Sequence, residues 1–167
     1  MKKFIVFIAA LLFGFVFSVN AQIKITNTQQ DKIVEVKTLH FGKTNKLLRS
    51  GNDYIYAITQ TSNRFDKPML LLLGSNKEEI LSSLETLYAT IDTIGDEEII
   101  TIDNGFGQEY NLSKWVVSEK DMARLQKLAK ITKTELDPCF VVTAKGYAGY
   151  GTIWKSALKS AIDYFNE

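Results

Sequence analysis

An uncharged run of large side chains at residues 69–73 most constrains how this chain can fold. Because the run has no polar alternation, it predicts a strand that is apolar on both faces and central in a sheet. Ser75 and Glu78 have the S-x-x-E spacing of a capping box, which predicts that a helix follows the turn at Gly74. Apolar residues then recur with helical spacing, at Ile80, Leu84, Leu87, Tyr88 and Ile91. This segment is therefore expected to form the packed centre of the fold, with its helix ending near Asp92.

The residues before this segment predict an antiparallel meander. Residues 32–41 and 54–61 are rich in β-branched and aromatic side chains, and residues 46–49 are a short strand candidate between them. Short turn sequences separate the three runs. Consecutive strands joined by tight turns pair as antiparallel neighbours. We therefore expect three sequential strands to lead into the central one.

A hairpin is predicted after the first helix. Asn104 and Gly105 stand between two strand-like runs, residues 99–103 and 106–112. The Asn-Gly pair is typical of a two-residue turn, because both central residues of that turn need a positive φ. Ser118 is then placed to cap a second helix, from Glu119 to about residue 131.

The C-terminal part predicts one more strand and a third helix. Residues 139–143 read as a buried strand that follows the break at Asp137 and Pro138. An amphipathic helix is expected from about Thr152 to the end of the chain. Its expected buried positions are Trp154, Ala157, Leu158, Ala161 and Phe165.

The order of these elements predicts an α+β fold. Strands come first, and helices then mix with hairpin strands, so the pattern is no regular alternation of β and α. We expect a mostly antiparallel β-sheet with about three helices packed mainly on one face. A small α/β sandwich of the doubly wound type is the alternative. Residues 22–167 contain no repeat and no Pro-, Gly- or Ser-rich linker, which predicts a single domain.

Residues 1–21 have the pattern of a cleaved signal peptide. Lys2 and Lys3 precede an apolar stretch at residues 4–17, and small residues stand before Gln22. A bilayer span needs roughly 20 apolar residues, so this stretch predicts a signal, with an uncleaved anchor as the alternative. Because no cysteine lies at the cleavage point, we expect a periplasmic or secreted protein that is not a lipoprotein. No integral membrane segment is expected after cleavage.

Charge and cysteine content narrow the classes of partner. The chain has 20 Lys and Arg against 19 Asp and Glu, and loss of Lys2 and Lys3 leaves a formal charge of about −1. A near-neutral chain lacks the basic surface that nucleic acids require, so no nucleic-acid partner is expected. Cys139 is the only cysteine, which excludes an intramolecular disulfide.

The glycine-rich residues 145–152 are the most distinctive candidate site. They are expected to follow a strand and to precede a helix, where backbone N–H groups can hold an anion. Their spacing fits neither G-x-x-x-x-G-K-[ST] nor G-x-G-x-x-G, so a tight connection with a positive φ is the alternative. Aromatic side chains with a polar tip are common on recognition surfaces. The predicted ligand-binding residues are Lys145, Tyr147, Tyr150 and Trp154.

The other constellations lack the spacing or the partners that their chemistry needs. Cys139 is expected to be a buried thiol, and His40 has no second metal-ligating neighbour in the sequence. Ser156 and Lys159 match S-x-x-K, but S-D-N and K-T-G are missing, and the predicted helix would place the serine a full turn inside. The acidic residues 92–103 lack the spacing of a calcium loop. The sequence therefore predicts no catalytic residue, no metal site and no cofactor.

The function expected from these observations is an exported, non-enzymatic interaction domain of the cell envelope or exterior. Its ligand would be a protein, a peptide or a glycan. One alternative is a small exported hydrolase whose residues come from distant loops, with His40 as the first candidate base. Another is a structural assembly component that pairs through an exposed edge of the meander. The oligomeric state stays open.

Overall fold

The computed structural model describes residues 32–39, 45–60, 67–129, 136–147 and 149–167. These ranges contain eight strands and three helices: β1 (Val34–Thr38), β2 (Asn45–Ser50), β3 (Asp53–Ile58), β4 (Met69–Gly74), α1 (Lys77–Thr93), β5 (Ile99–Asp103), β6 (Glu109–Lys114), α2 (Glu119–Ala129), β7 (Cys139–Ala144), β8 (Gly151–Trp154) and α3 (Lys155–Asn166). The predicted signal peptide and its cleavage point lie outside the described residues and stay a prediction.

The α+β fold and its antiparallel pairing are confirmed, but the strands form two sheets. Strands β1 to β4 pair in the order β1-β2-β3-β4, and strands β5 to β8 pair in the order β5-β6-β7-β8. Every pair of neighbouring strands is antiparallel. The predicted meander is present as β1, β2 and β3, and β4 follows it in the same sheet. Within the described ranges, no helix is both long and apolar enough to cross a bilayer.

Both sheets and two helices bury side chains in one hydrophobic cluster. The stripe of α1 is confirmed, because Ile80, Leu84, Leu87 and Ile91 are all buried. Helix α1 packs against α3. Three of the five positions that the sequence predicts to be buried by the C-terminal helix are buried in α3. The largest fully buried side chains are Tyr56, Tyr110, Phe140, Leu47, Ile58, Met69, Ile80, Leu84, Ile91, Leu112, Ile153 and Leu158.

The prediction that β4 is central in its sheet is wrong, because β4 is an edge strand. Its outer side is covered by the β5–β6 hairpin of the other sheet. The N–H of Leu72 donates to the carbonyl of Asn104 at 2.9 Å, and the N–H of Leu70 donates to the hydroxyl of Tyr110 at 3.1 Å. The apolar run therefore reflects burial beneath a neighbouring sheet and its loop, which satisfy the strand edge as a fifth strand would.

The helix cap lies one residue later than the sequence predicts. Asn76 is the N-cap of α1, and its side-chain oxygen accepts from the N–H of Glu79 at 3.0 Å. The Glu79 carboxylate accepts in turn from the N–H of Ser75. Because the Ser75 hydroxyl donates to Asp53 on β3, it is not the helix cap. The arrangement is similar to a capping box formed by Asn76 and Glu79, except that the Glu79 carboxylate accepts from the residue before the N-cap.

The hairpin at Asn104 and Gly105 is present, but its turn is longer than predicted. Asp103 and Glu109 form the last strand pair, so residues 104–108 make a five-residue loop and β6 starts later than residue 106. The side chain of Asn104 accepts from the N–H groups of Phe106 and Gln108. These bonds wrap the loop around a buried amide instead of closing it in two residues.

The glycine-rich segment does not lead into a helix, which corrects the expectation for residues 145–152. It connects β7 to β8, and α3 starts at Lys155 rather than at Thr152. Trp154 lies in β8, opposite Cys139 of β7. The helix start instead follows the strand, where the Asp137 carboxylate accepts from the N–H of Ser156 at 3.1 Å. The loop is therefore not at a helix N-terminus, and the anion-binding argument for it no longer applies.

Helix α2 begins where the sequence predicts. The hydroxyl of Ser118 accepts from the N–H of Asp121 at 3.2 Å and donates to its carboxylate. The described part of α2 ends at Ala129, so the predicted end near residue 131 lies outside the described residues.

The two sheets meet where β8 crosses β2 and β3. The buried side chain of Asn45 donates to the carbonyl of Thr152 at 2.7 Å and accepts from the N–H of Trp154 at 3.3 Å. Gly151 lies directly against Ile58, whose side chain is fully buried. A β-carbon at Gly151 would overlap the side chain of Ile58. The absence of a side chain at this position therefore sets the distance between the sheets.

We expect Gly151→Ala to destabilise the protein, because the added methyl group must displace Ile58 in a filled core. Overpacking of this kind costs about 1–3 kcal/mol in the free energy of unfolding, which urea denaturation measures. The matched control is Gly95→Ala, where the added β-carbon would meet Glu98 at an ordinary 3.6 Å. Equal unfolding midpoints for the two variants would contradict the close contact at Gly151.

Candidate functional site

A cleft of about 310 Å³ lies beside β4, between the β5–β6 loop and the β7–β8 loop. Pro68 and Leu70 line it from the strand, Phe106 and Gln108 from the first loop, and Tyr147 from the second. It also includes Lys67, Asn104 and Tyr110. The lining is mostly apolar and aromatic, with a few polar groups, which is the usual composition of a ligand pocket.

Asn104 holds one wall of the cleft in place. Its side chain is 3% exposed, and its amide nitrogen donates to the carbonyl of Leu70 at 3.2 Å. Its side-chain oxygen accepts from the backbone of Phe106 and Gln108 at 2.9 and 3.0 Å. One buried amide thus joins the loop to β4, so the position of Phe106 on the rim is fixed by the backbone beneath it.

Two tyrosines form the opposite side of the cleft. Tyr110 is buried, and its ring meets that of Tyr147 edge to face, with the centroids 6.3 Å apart. Partial burial and a hydrogen bond with Tyr110 raise the pKa of Tyr147. Its phenol is therefore neutral across the physiological range, able to donate and to accept a hydrogen bond.

The two loops around the cleft are tied to each other. The side-chain nitrogen of Gln108 donates to the carbonyl of Lys145 at 2.8 Å. Within the β7–β8 connection, the N–H of Tyr147 donates to the carbonyl of Ala144 at 3.3 Å. Phe106 stands at the rim with 51% of its surface exposed. An exposed ring above a braced apolar cleft offers a flat face for stacking, and Lys67 supplies a cation at the edge of the lining.

The structure separates the four predicted site residues. Tyr147 lines the cleft, whereas Lys145 is outside the lining and its backbone carbonyl accepts from Gln108. Tyr150 is 47% exposed and outside the cleft lining. Trp154 meets Trp115 edge to face, with the ring centroids 5.9 Å apart. The part of each of these residues in ligand binding stays a prediction.

A second, smaller cleft of about 220 Å³ is lined by residues around Trp115. Trp115 and Val116 line it with exposed apolar surface, and Lys114 pairs there with Asp96 at 3.0 Å. Asp137 also lines it, but its carboxylate accepts hydrogen bonds from Ser156 at the start of α3. This carboxylate is thus engaged in a helix cap.

The groups with nucleophilic potential have structural roles. Cys139 is 2% exposed, as predicted, and burial raises the pKa of its thiol to about 12. Ser156 lies in the first turn of α3, not a full turn inside, and its hydroxyl donates to Asp137. Lys159 bonds to Asp163 at 2.8 Å. The serine and lysine of the S-x-x-K match are each engaged elsewhere, whereas His40 lies outside the described residues.

The acidic residues near β5 are arranged as a surface rather than as a metal site. Asp96 pairs with Lys114, and Glu98 accepts from the N–H of Gly95 at 3.0 Å. In the part of the chain that the structure describes, no three His, Cys, Asp or Glu side chains come together as metal ligands would.

The residues that complete the cleft were missed in the sequence. Asn104 reads there as half of an Asn-Gly turn, and Phe106 as the start of a strand. The second glycine at Gly107, also with a positive φ, was the available signal for a longer loop, since a two-residue turn needs no second glycine. The approach of Pro68 to these residues depends on the packing of the two sheets, which no local pattern encodes.

No family model matches the sequence, and no curated protein or solved structure matches the chain significantly.

We expect Asn104→Ala to destabilise the protein by about 1–3 kcal/mol, because it removes the hydrogen-bond partner of part-buried backbone groups of Leu70, Phe106 and Gln108. Chemical denaturation measures the difference. Asn111→Ala is the matched control, since Asn111 is exposed and accepts only a side-chain bond from Thr101. A cost for Asn111→Ala as large as that for Asn104→Ala would contradict the bracing role of Asn104.

We expect the protein to lose stability in alkali through Cys139. Burial, with a smaller contribution from Asp137, raises the pKa of this thiol from 9.0 to about 12. The folded state therefore holds the proton more tightly, so this stabilisation is complete below about pH 9 and is lost toward pH 12. The slope approaches about 1.4 kcal/mol per pH unit between these values.

Urea unfolding at a series of pH values measures that slope, and Cys139→Ala is expected to reduce it. Some slope remains at the highest pH, because burial also raises the pKa of Tyr56. Parallel stability curves for the wild type and the variant would show that Cys139 titrates normally.

Proposed function

We propose that this protein is an exported, non-enzymatic binding domain of the cell envelope or exterior, and that the cleft beside Tyr147 receives its ligand. The observation that carries the proposal is the bracing of this cleft. Asn104 ties one loop to β4, and Gln108 ties the same loop to the β7–β8 loop. A cleft that is formed before its ligand arrives loses little conformational entropy on binding.

The size of the cleft indicates what part of a ligand it holds. Its volume of about 310 Å³ is near the lower limit of small-molecule pockets. It can hold one sugar ring or one or two amino-acid side chains. Because more of a chain-like ligand would extend past the rim, a peptide, a protein segment or a glycan fits better than a compact cofactor.

The chemistry of the lining supports the same classes of ligand. Phe106 offers an exposed ring, and Tyr147 offers a neutral phenol, so a ligand with one flat apolar face and one hydrogen-bonding edge meets both needs. Sugar rings and the side chains of proline, tyrosine and tryptophan have such faces. Lys67 adds one positive charge, which favours a ligand with a carboxylate nearby.

The proposal of export rests on residues 1–21, whose charged start, apolar stretch and small residues are those of a signal peptide. The state of Cys139 is compatible with an oxidising compartment. Its thiol is free but buried, so it is shielded from disulfide exchange with other proteins. Periplasm and exterior are both open as destinations.

The test is a binding screen followed by matched substitutions. The purified protein is screened against an array of peptides and an array of glycans, and the affinity of the best probe is measured by titration calorimetry. We expect Tyr147→Ala and Phe106→Ala each to weaken binding by about tenfold or more, the loss typical of an aromatic anchor.

Tyr150→Ala is the control, because Tyr150 is an exposed tyrosine of the same loop outside the cleft. The affinity of the Tyr150→Ala variant for the probe is expected to stay within about twofold of the wild-type affinity. If Tyr150→Ala abolished binding while Tyr147→Ala preserved it, the ligand would lie on the outer face of the loop. If neither array gave a specific probe, the binding function itself would be contradicted.

A further inference from the structure

The outer edges of the two sheets are not equivalent. On β4, the loop at Asn104 bonds to Leu70 and Leu72. On β8, the side chain of Asn45 bonds to Thr152 and Trp154, and Gly151 forms a bridge with Gln60. These two edges are therefore satisfied by the rest of the protein.

The remaining edge strands are β1 and β5, and they differ in how regularly they pair with their neighbouring strand. The pairing of β1 with β2 is interrupted by a bulge between Glu35 and Lys37. Bulges are one of the devices that prevent an edge from pairing with another chain. By contrast, β5 pairs with β6 without interruption from Ile99 to Asp103.

Strand β5 lacks several of the usual protections of an edge in the described part of the chain. It contains no proline and no lysine, and within the described residues β6 is its only strand partner. In an antiparallel strand, the backbone groups of alternate residues point away from the existing partner and can pair with a new strand. Ile99 is 67% exposed at the start of this edge, which offers an apolar contact to an incoming chain.

The charged side chains around β5 determine which charge a partner chain must carry. Residues 95–114 contain five acidic side chains, at positions 96, 97, 98, 103 and 109, and one basic side chain, Lys114. Lys114 is already paired with Asp96. All five acids are exposed, and the four besides Asp96 have no such ion pair among the described residues. Negative potential at both ends of β5 is therefore available to an incoming strand.

We propose that β5 is a docking edge for an extended, basic segment of a partner protein, which adds to the second sheet as a further strand. Backbone hydrogen bonds supply the pairing, and lysine or arginine side chains lie beside Asp103 and the acids that precede Ile99. Because side chains alternate between the two faces of a strand, β5 also determines which residues of the added strand are apolar and which are basic. Ile100 and Ile102 are half-buried on the core face, so apolar guest residues lie beside them and basic ones lie on the outer face.

A second copy of this chain suits the edge less well. Two antiparallel β5 strands would place Asp103 and the acids before Ile99 of both copies near one another, and like charges across a strand pair are unfavourable. The site is separate from the cleft at Tyr147, so it does not depend on the function proposed above.

The test uses a short peptide of alternating lysine and valine, acetylated and amidated, with the purified protein. We expect binding by titration calorimetry, together with slower amide hydrogen exchange in β5. The control peptide has the same sequence and charge but is N-methylated at every residue, so that neither of its edges can donate to a neighbouring strand. Equal binding of the two peptides would overturn the proposal, since it would show attraction by charge alone.

Substitutions test the position of the edge. Glu97→Lys is expected to weaken binding of the lysine and valine peptide about three- to tenfold by reversing a charge beside β5. Glu85→Lys is the matched control, because it makes the same change on the exposed side of α1 and is expected to leave binding unchanged. Equal effects of the two variants, exchange protection outside β5, or protection that grows with protein concentration alone would each overturn the proposal.

Discussion

The fold depends on one buried amide, the side chain of Asn45. It lies on β2 of the first sheet and bonds to two backbone groups of β8 in the second, at Thr152 and Trp154. Because this side chain is fully buried, water cannot replace either bond if the sheets separate only slightly. Gly151 permits the close approach that these bonds require. The relative position of the sheets, and therefore of the loops that they carry, follows from this contact.

The sequence predicts well those features that depend on neighbouring residues. The stripe of α1, the cap at Ser118 and the antiparallel meander are all set within a few positions along the chain. The place of β4 is not predictable in this way, since its second apolar side is covered by a hairpin distant in sequence. β8 is read as a helix for a related reason: Asn45, which satisfies its outer edge, lies more than a hundred residues earlier.

In the candidate site, too, residues brought together from distant parts of the chain are not predictable from local sequence. Tyr147 is identifiable because aromatic residues among glycines stand out in a sequence. Its neighbours in the cleft are not identifiable, because Pro68 and Phe106 approach it only after the two sheets have packed. Tyr150 and Trp154 are near Tyr147 in sequence but point to different surroundings, since a hairpin loop and a strand separate them. Proximity along the chain was a poor guide to a shared surface here.

The β5–β6 hairpin contributes both to the packing of the fold and to the two proposed binding surfaces. At its loop end, Asn104 covers the edge of β4 and thereby forms one wall of the cleft. Along its length, the outer strand β5 of this hairpin has no second strand partner among the described residues. A single element thus closes one sheet edge and presents another, and the exposed acids determine which kind of chain can approach the open one. Because Asp103 ends the open strand and Asn104 starts the loop, a strand added to β5 would end beside the loop that carries Phe106. The two surfaces are therefore adjacent in the fold, although each is proposed to bind its own partner.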